Sequence, residues 1–238
     1  MNFQSIILAA GTLESQQTGF KKCRFPVDSS TSLLELSMST HKSSQKVVIA
    51  LNPDDYDFFS KKELVGNSQL VSISHATQGA LATSGMCLDL IDDDLPVLIS
   101  AVDGLCFNIT EKFLAQMEVS GADGGVIVFP SEKLNYSYVR VSSSVPIEFA
   151  EKVRIGELAT AGIYFFRSKK LLVDSILWAI LNQIKYNNTY YLSSAMNKLI
   201  FENRKVVLFE TDEENYFRFS SKEEAVHSLS RMEDKSLG

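Results

Sequence analysis

Short apolar runs rich in β-branched residues alternate along this chain with segments of helical period, and this alternation restricts the fold more than any other feature. Ser5 to Ala10, Lys46 to Leu51, Leu70 to Ile73, Val97 to Ala101, Gly125 to Phe129, Ala161 to Phe166 and Lys205 to Phe209 each read as a strand bounded by turn residues. Helical spacing marks Ser32 to Ser39, Asp55 to Leu64, Ala80 to Ile91 and Thr110 to Val119, and later Lys170 to Ile184, Tyr190 to Glu202 and Lys222 to Met232. Strand alternating with helix predicts an α/β protein with a doubly wound, mostly parallel sheet. The middle breaks the pattern. Tyr136 to Val141 alternates with period two, and a Ser142-Ser143-Ser144 turn leads to Ile147 to Ala150, which predicts a small antiparallel hairpin inserted beside the main sheet.

Nothing in the composition marks a seam between two halves, so residues 1–238 read as a single domain. The 45% hydrophobic content supplies a core and is far from the signature of disorder. A net charge of -6 opposes non-specific nucleic-acid binding, which needs a basic surface to displace counterions. The first apolar run stops at Gly11 after five residues, too short for a signal-peptide core or a membrane span. Cys23, Cys87 and Cys106 are odd in number and widely spaced, which predicts reduced thiols in a cytoplasmic protein with no membrane partner.

In a doubly wound sheet, ligands bind at the carboxyl ends of the strands. The first strand ends in Leu8-Ala9-Ala10-Gly11, and a loop of about ten residues leads to Lys21-Lys22. Small residues there let backbone N–H groups approach phosphates, with lysines beyond the loop to neutralise them. A tightly packed strand end followed by a solvated lysine pair is the other reading. In Thr77-Gln78-Gly79-Ala80, Thr77 is placed to cap a helix and Gly79 to let a base or ribose lie against the backbone. Pro96 to Asp103 is a buried-strand pattern that delivers a carboxylate at its carboxyl end, where a metal-bound triphosphate needs a hard ligand. An Asp-Gly turn explains Asp103-Gly104 equally well.

Taken in order, Leu8-Ala9-Ala10-Gly11, Lys22, Thr77-Gln78-Gly79-Ala80, Asp103, Glu151-Lys152, Ala159 to Phe166 and Tyr190-Tyr191-Leu192 resemble the motifs of the sugar-phosphate nucleotidyltransferases. The similarity covers nearly the whole chain and is closest to short, single-domain members associated with capsule and surface-polysaccharide loci. It implies a Rossmann-like fold and a Mg²⁺-dependent union of a nucleoside triphosphate with a sugar phosphate or other small phosphate, with release of pyrophosphate. It also implies site roles: Leu8, Ala9, Ala10, Gly11, Lys22 and Gly79 on the nucleotide, Asp103 on Mg²⁺, and Lys152 and Gly162 on the acceptor. Lys22, Asp103 and Lys152 are the groups the resemblance assigns to catalysis. The bland readings are a surface pair for Glu151-Lys152 and relief of strand crowding for Gly162.

The sequence departs from the family at two places. The usual loop, Leu-Ala-Ala-Gly-x-Gly-x-Arg, here has Leu13 for its second glycine and Ser15 for its arginine. This removes backbone freedom and a bidentate cation together. Lys21 and Arg24 are expected to compensate in part. Near the carboxyl end, Arg218 stands at or beside the position where the family often has a second metal-binding aspartate. These departures keep a second reading open, a catalytically impaired module that binds a nucleotide or a partner enzyme, or assembles with itself. A glycosyltransferase would need an Asp-x-Asp motif at the strand end, which Asp103-Gly104-Leu105 does not supply.

Overall fold

The computed structural model describes residues 1–11, 20–64 and 66–236, with side chains described through Glu233. Leu13 and Ser15, on which the departure in the first loop rests, lie outside the described residues. In chain order the strands are β1 (Gln4–Ala9), β2 (Val47–Leu51), β3 (Ser68–Ser72), β4 (Val97–Ala101), β5 (Gly104–Cys106), β6 (Gly124–Pro130), β7 (Ser137–Ser142), β8 (Val145–Glu151), β9 (Leu158–Phe166), β10 (Val206–Glu210) and β11 (Tyr216–Arg218). The α-helices are α1 (Leu33–Ser39), α2 (Pro53–Phe59), α3 (Ala80–Gly85), α4 (Thr110–Ser120), α5 (Lys169–Leu181), α6 (Leu192–Phe201) and α7 (Lys222–Ser236).

The main sheet runs β10-β6-β9-β4-β1-β2-β3. β1 pairs in parallel with β2 on one side and with β4 on the other, and β2 pairs in parallel with β3. The chain therefore winds outward through β2 and β3, then returns across β1 to lay down β4. That reversal opens a crevice at the carboxyl ends of β1 and β4, the usual ligand position in open α/β sheets. Both faces of the sheet are covered, which is why its strands read as unbroken apolar runs. Ile6, Val48, Ile99, Val126 and Tyr164 pack on one face with Leu81 of α3, Ile176 of α5 and Met196 of α6. Ile7, Ile49 and Leu51 pack on the other with Leu34 of α1 and Phe59 of α2, while Leu98, Ile127 and Phe165 meet Phe113 of α4.

The mostly parallel, doubly wound expectation holds, with β9 antiparallel between β4 and β6. The expected hairpin is β7 and β8, joined to the main sheet through Tyr138 and Val139 on β9. Its turn is shorter than expected: Ser142 already pairs with Val145, leaving Ser143 and Ser144, both with positive φ, as the loop. β5 and β11 form a separate antiparallel ribbon with no counterpart in the sequence reading. The helix expected over Asp55 to Leu64 starts earlier and ends at Phe59, because Asn52 accepts the Asp55 N–H as a cap and Pro53 opens the first turn. The one expected over Ala80 to Ile91 ends at Gly85, and a 3₁₀ turn at Leu88–Leu90 follows. That expected from Tyr190 starts at Leu192, because the Tyr190 N–H is committed to the Gln78 carbonyl at 2.7 Å. Among the described residues no helix is long and apolar enough to cross a membrane.

Candidate functional site

β1 delivers Leu8 and Ala9 buried, Ala10 half-buried and Gly11 exposed, with open space where a Gly11 Cβ would stand. The chain returns beneath this strand end at the 3₁₀ turn Lys22–Arg24, where Cys23 is buried and its thiol lies 3.5 Å from the Ala9 carbonyl. Anchoring Cys23 against the strand fixes its neighbour Lys22 at the crevice. Burial, with Asp55's charge adding to it, pushes the Cys23 thiol far above its ordinary pKa, so it is a packing group. Burial likewise pushes Cys87 and Cys106 up to about 12, and all three cysteines are free thiols.

β4 ends beside β1, where the Val102 N–H donates to the Leu8 carbonyl at 3.0 Å, and Asp103 follows. The Lys22 ammonium meets Asp103 Oδ2 at 2.6 Å, with the two side chains 23% and 25% exposed. Burial resists ionisation of Asp103, but the charge and hydrogen bond of Lys22, helped by Arg218, outweigh it and hold the carboxyl below its ordinary range. Lys22 and Asp103, eighty-one positions apart, thus meet at the crevice in a contact that the sequence reading, which gave one to phosphate and the other to Mg²⁺, did not specify.

Lys21 and Arg24 are engaged elsewhere. Lys21 pairs with Asp54 at 2.8 Å, and Arg24 pairs with Asp55 at 2.7 Å and lies 4.3 Å over the Phe58 ring. Both carboxylates sit in the first turn of α2, where the helix dipole favours them. The altered loop these cations are expected to compensate for lies outside the described residues; in this structure the charges of Lys21 and Arg24 are met by α2.

Gly79 has φ +108°, and a Cβ there would fall 2.4 Å from both Thr189 Cγ2 and the Tyr190 carbonyl oxygen. The close approach of Thr189 and Tyr190 accounts for this glycine within the chain itself. Thr77 does not cap α3, whose N-cap position is Gly79 and which has no side-chain cap; the Thr77 hydroxyl bonds that of Thr83 at 2.6 Å. Gly162 is the opposite case. It has φ +76°, sits where β9 bulges against β6, and has nothing within 4 Å of the missing Cβ. A Cβ on Gly104 would lie 2.9 Å from the Ala161 carbonyl oxygen, so the turn carrying Asp103 packs directly beside Gly162.

Lys152 follows β8 with φ +52°, is exposed, donates its N–H to the Tyr136 carbonyl and places its ammonium 5.7 Å from the Tyr191 ring centroid. The preceding Glu151, which the sequence reading left without a role, accepts hydrogen bonds from the hydroxyls of Ser137 and Ser193. Burial raises its pKa, against the pull of those hydroxyls, Lys152 and Arg218. Its place beside Lys152 in the motif was the signal available in the sequence. Arg218, on β11 opposite Gly104, is the cation that links the two halves, since its charge acts on both Asp103 and Glu151. It sits where the resemblance leads one to expect an aspartate. Among the described residues no three acidic, His or Cys side chains gather to hold a metal. Mg²⁺ keeps several waters and needs only one or two carboxylates beside substrate phosphates, so Asp103 meets the minimum.

The structure of a nucleoside-diphosphate-sugar pyrophosphorylase from Vibrio cholerae RC9 superposes with a TM-score of 0.82 over 95% of this chain and 100% of that one, at 17% identity. This chain has that protein's fold. A Bacillus anthracis protein described as a glucose-1-phosphate thymidylyltransferase and solved with sucrose gives 0.75 over 96% and 94%, at 14% identity. HddC from Yersinia pseudotuberculosis gives 0.71 over 97% and 99%, also at 14%. At these identities the likeness is one of fold. No protein-family model matches the sequence, and no curated protein matches it either.

Proposed function

We propose that this chain joins a nucleoside triphosphate to a sugar phosphate or similar small phosphate and releases pyrophosphate. The observation that carries the reading is the Lys22–Asp103 pair at the crevice between β1 and β4, one turn away from the open Gly162. An acceptor phosphate oxygen attacks the α-phosphorus in line, the bond to the β-phosphate breaks, and its electron pair leaves on pyrophosphate. The acceptor arrives ionised, so no base is needed, and the protein's task is alignment and neutralisation. Two unit charges 4 Å apart repel by about 4 kcal/mol at an effective dielectric of 20. Lys22 has three donors and can hold Asp103 and a phosphate oxygen together. Lys152 takes the acceptor phosphate, and Glu151 with its two serines supplies hydrogen-bonding groups for acceptor hydroxyls. Asp103 would hold Mg²⁺, which would supply further positive charge to the triphosphate. A place in surface-polysaccharide synthesis rests on the sequence resemblance, and a cytoplasmic one on the odd, widely spaced cysteines.

A second reading, a module that binds nucleotide or a partner without turnover, is favoured by the ion pairs that engage Lys21 and Arg24 with α2. The deciding experiment incubates the protein and Mg²⁺ with each ribonucleoside triphosphate and a panel of sugar 1-phosphates, reading pyrophosphate. Release with one pair establishes the enzyme, and a Lys152→Ala variant then loses about ten- to a hundred-fold in acceptor efficiency while keeping nucleotide affinity. Thermal stabilisation by a triphosphate, with no pyrophosphate from any pair, moves the second reading ahead.

A further inference from the structure

Behind the ribbon of β5 and β11, between β11, α7 and the segment before β7, lies a cavity of about 70 Å³ lined by Lys133, Arg218, Arg231, His227, Glu213 and Glu224 among others. Three permanent cations and an imidazole face two carboxylates, in a chain whose net charge is -6. Lys133 meets Glu213 at 2.8 Å, and Arg218 meets Glu224 through Nε at 3.3 Å. Arg231 spends its guanidinium on the main-chain carbonyls of Tyr216, Glu213 and Glu214, at 2.8 to 3.3 Å. Those three bonds orient the cation without cancelling its charge. Arg218 also keeps a buried Nη1 with no hydrogen-bond partner, a cost a folded chain ordinarily avoids.

We propose that this cavity is a binding site for a small phosphate-type oxyanion, separate from the crevice at β1 and β4. A water needs roughly 10–15 Å³ of such space, so the cavity holds about five water-sized groups. A tetrahedral phosphate has that many heavy atoms, and a nucleoside is far too large. The Lys133 ammonium and the His227 ring beside two guanidinium charges suit a multivalent oxyanion better than a halide, because its several oxygens can accept from more than one N–H at once. Arg218 belongs to both places, so an anion here draws on the same cation that acts on Asp103 and Glu151.

The test titrates inorganic phosphate into the full chain at constant ionic strength set with chloride, following the melting temperature and the His227 ring resonances. Two double variants go beside the wild type: Lys133→Gln with His227→Gln at the cavity, and Lys22→Gln with Lys152→Gln at the crevice. Lys133 is 64% exposed and His227 is exposed, so the cavity variant is expected to fold. The expected result is saturable stabilisation of the wild type and of the crevice variant, a saturating shift of the His227 resonances, and at least tenfold weaker binding by the cavity variant. A wild type that phosphate does not stabilise beyond chloride overturns the proposal. So does a loss of binding that follows the crevice variant and leaves the cavity variant unaffected.

Discussion

Lys22 and Asp103 are each half of a contact that neither forms alone, and the charge state of the crevice depends on that pairing. The ammonium keeps Asp103 ionised against its burial, so Lys22→Ala should raise the Asp103 pKa toward its ordinary value or beyond it, because the cost of burial is then opposed by Arg218 and a backbone hydrogen bond without the larger influence of Lys22. Carboxyl-carbon NMR titration reads this directly; a carboxyl that still titrates below the ordinary range in the variant assigns its depression to other groups. The same substitution should weaken triphosphate binding by about ten- to a hundred-fold, the worth of one charge-assisted hydrogen bond. Asp103 was legible in the sequence because it follows an apolar run at a strand's carboxyl end, where topology fixes position, and Lys22 only through its place in the ordered motifs of the resemblance. The partners of Lys21 and Arg24 were not, since Asp54 and Asp55 lie some thirty positions away and no local pattern joins them. The packing of Gly79 was hidden for a related reason: its crowding comes from Thr189 and Tyr190, far along the chain.

At the scale of elements, the hairpin of β7 and β8 positions the proposed acceptor side of the site, because Glu151 ends β8 and Lys152 follows it. Its two-residue turn puts Ser143 at φ 49° and Ser144 at φ 64°, a conformation that favours Asn-Gly. Ser143→Asn with Ser144→Gly should therefore stabilise the protein by about 1 kcal/mol, read as a higher denaturation midpoint at unchanged slope. An unchanged midpoint would show that hairpin strain is relaxed elsewhere. On β9, Gly162→Ala meets open space but an unfavourable φ of +76°, so it should cost about 1 to 2 kcal/mol through the backbone alone. Asn at the same position should cost less, and equal losses for the two would point to a steric cause instead. The long parallel strands were legible because both of their faces are buried and their apolar runs are continuous. β5 and β11 have three residues each, too few to show a period, and they pair across more than a hundred positions. The cation that β11 brings to the site was visible only as a mismatch.

For the molecule as a whole, one buried contact ties the centre of the sheet to the loop that follows α1. The His41 ring lies between Ser5 on β1 and Ser100 on β4, with Nδ1 3.0 Å from one hydroxyl and Nε2 2.8 Å from the other. Burial lowers its pKa from 6.5 to about 4, so the folded protein holds it neutral where an unfolded chain would protonate it. Between those two values the unfolded state binds the extra proton, and stability falls as pH drops from 6.5 toward 4. A shift of that size amounts to roughly 3 kcal/mol across the window, a large share of an ordinary domain's stability. The depressed carboxyl of Asp103 acts lower, since its contribution is intact above the ordinary Asp range and is lost only as pH falls through its folded value. Urea denaturation at half-unit steps from pH 7 to pH 4 should therefore show a steep decline. His41→Gln should be less stable at pH 7, having disturbed both hydroxyl contacts, yet distinctly flatter through the same window because its side chain cannot titrate. A slope in the variant as steep as in the wild type would move the acid sensitivity from this histidine to the carboxylates around it.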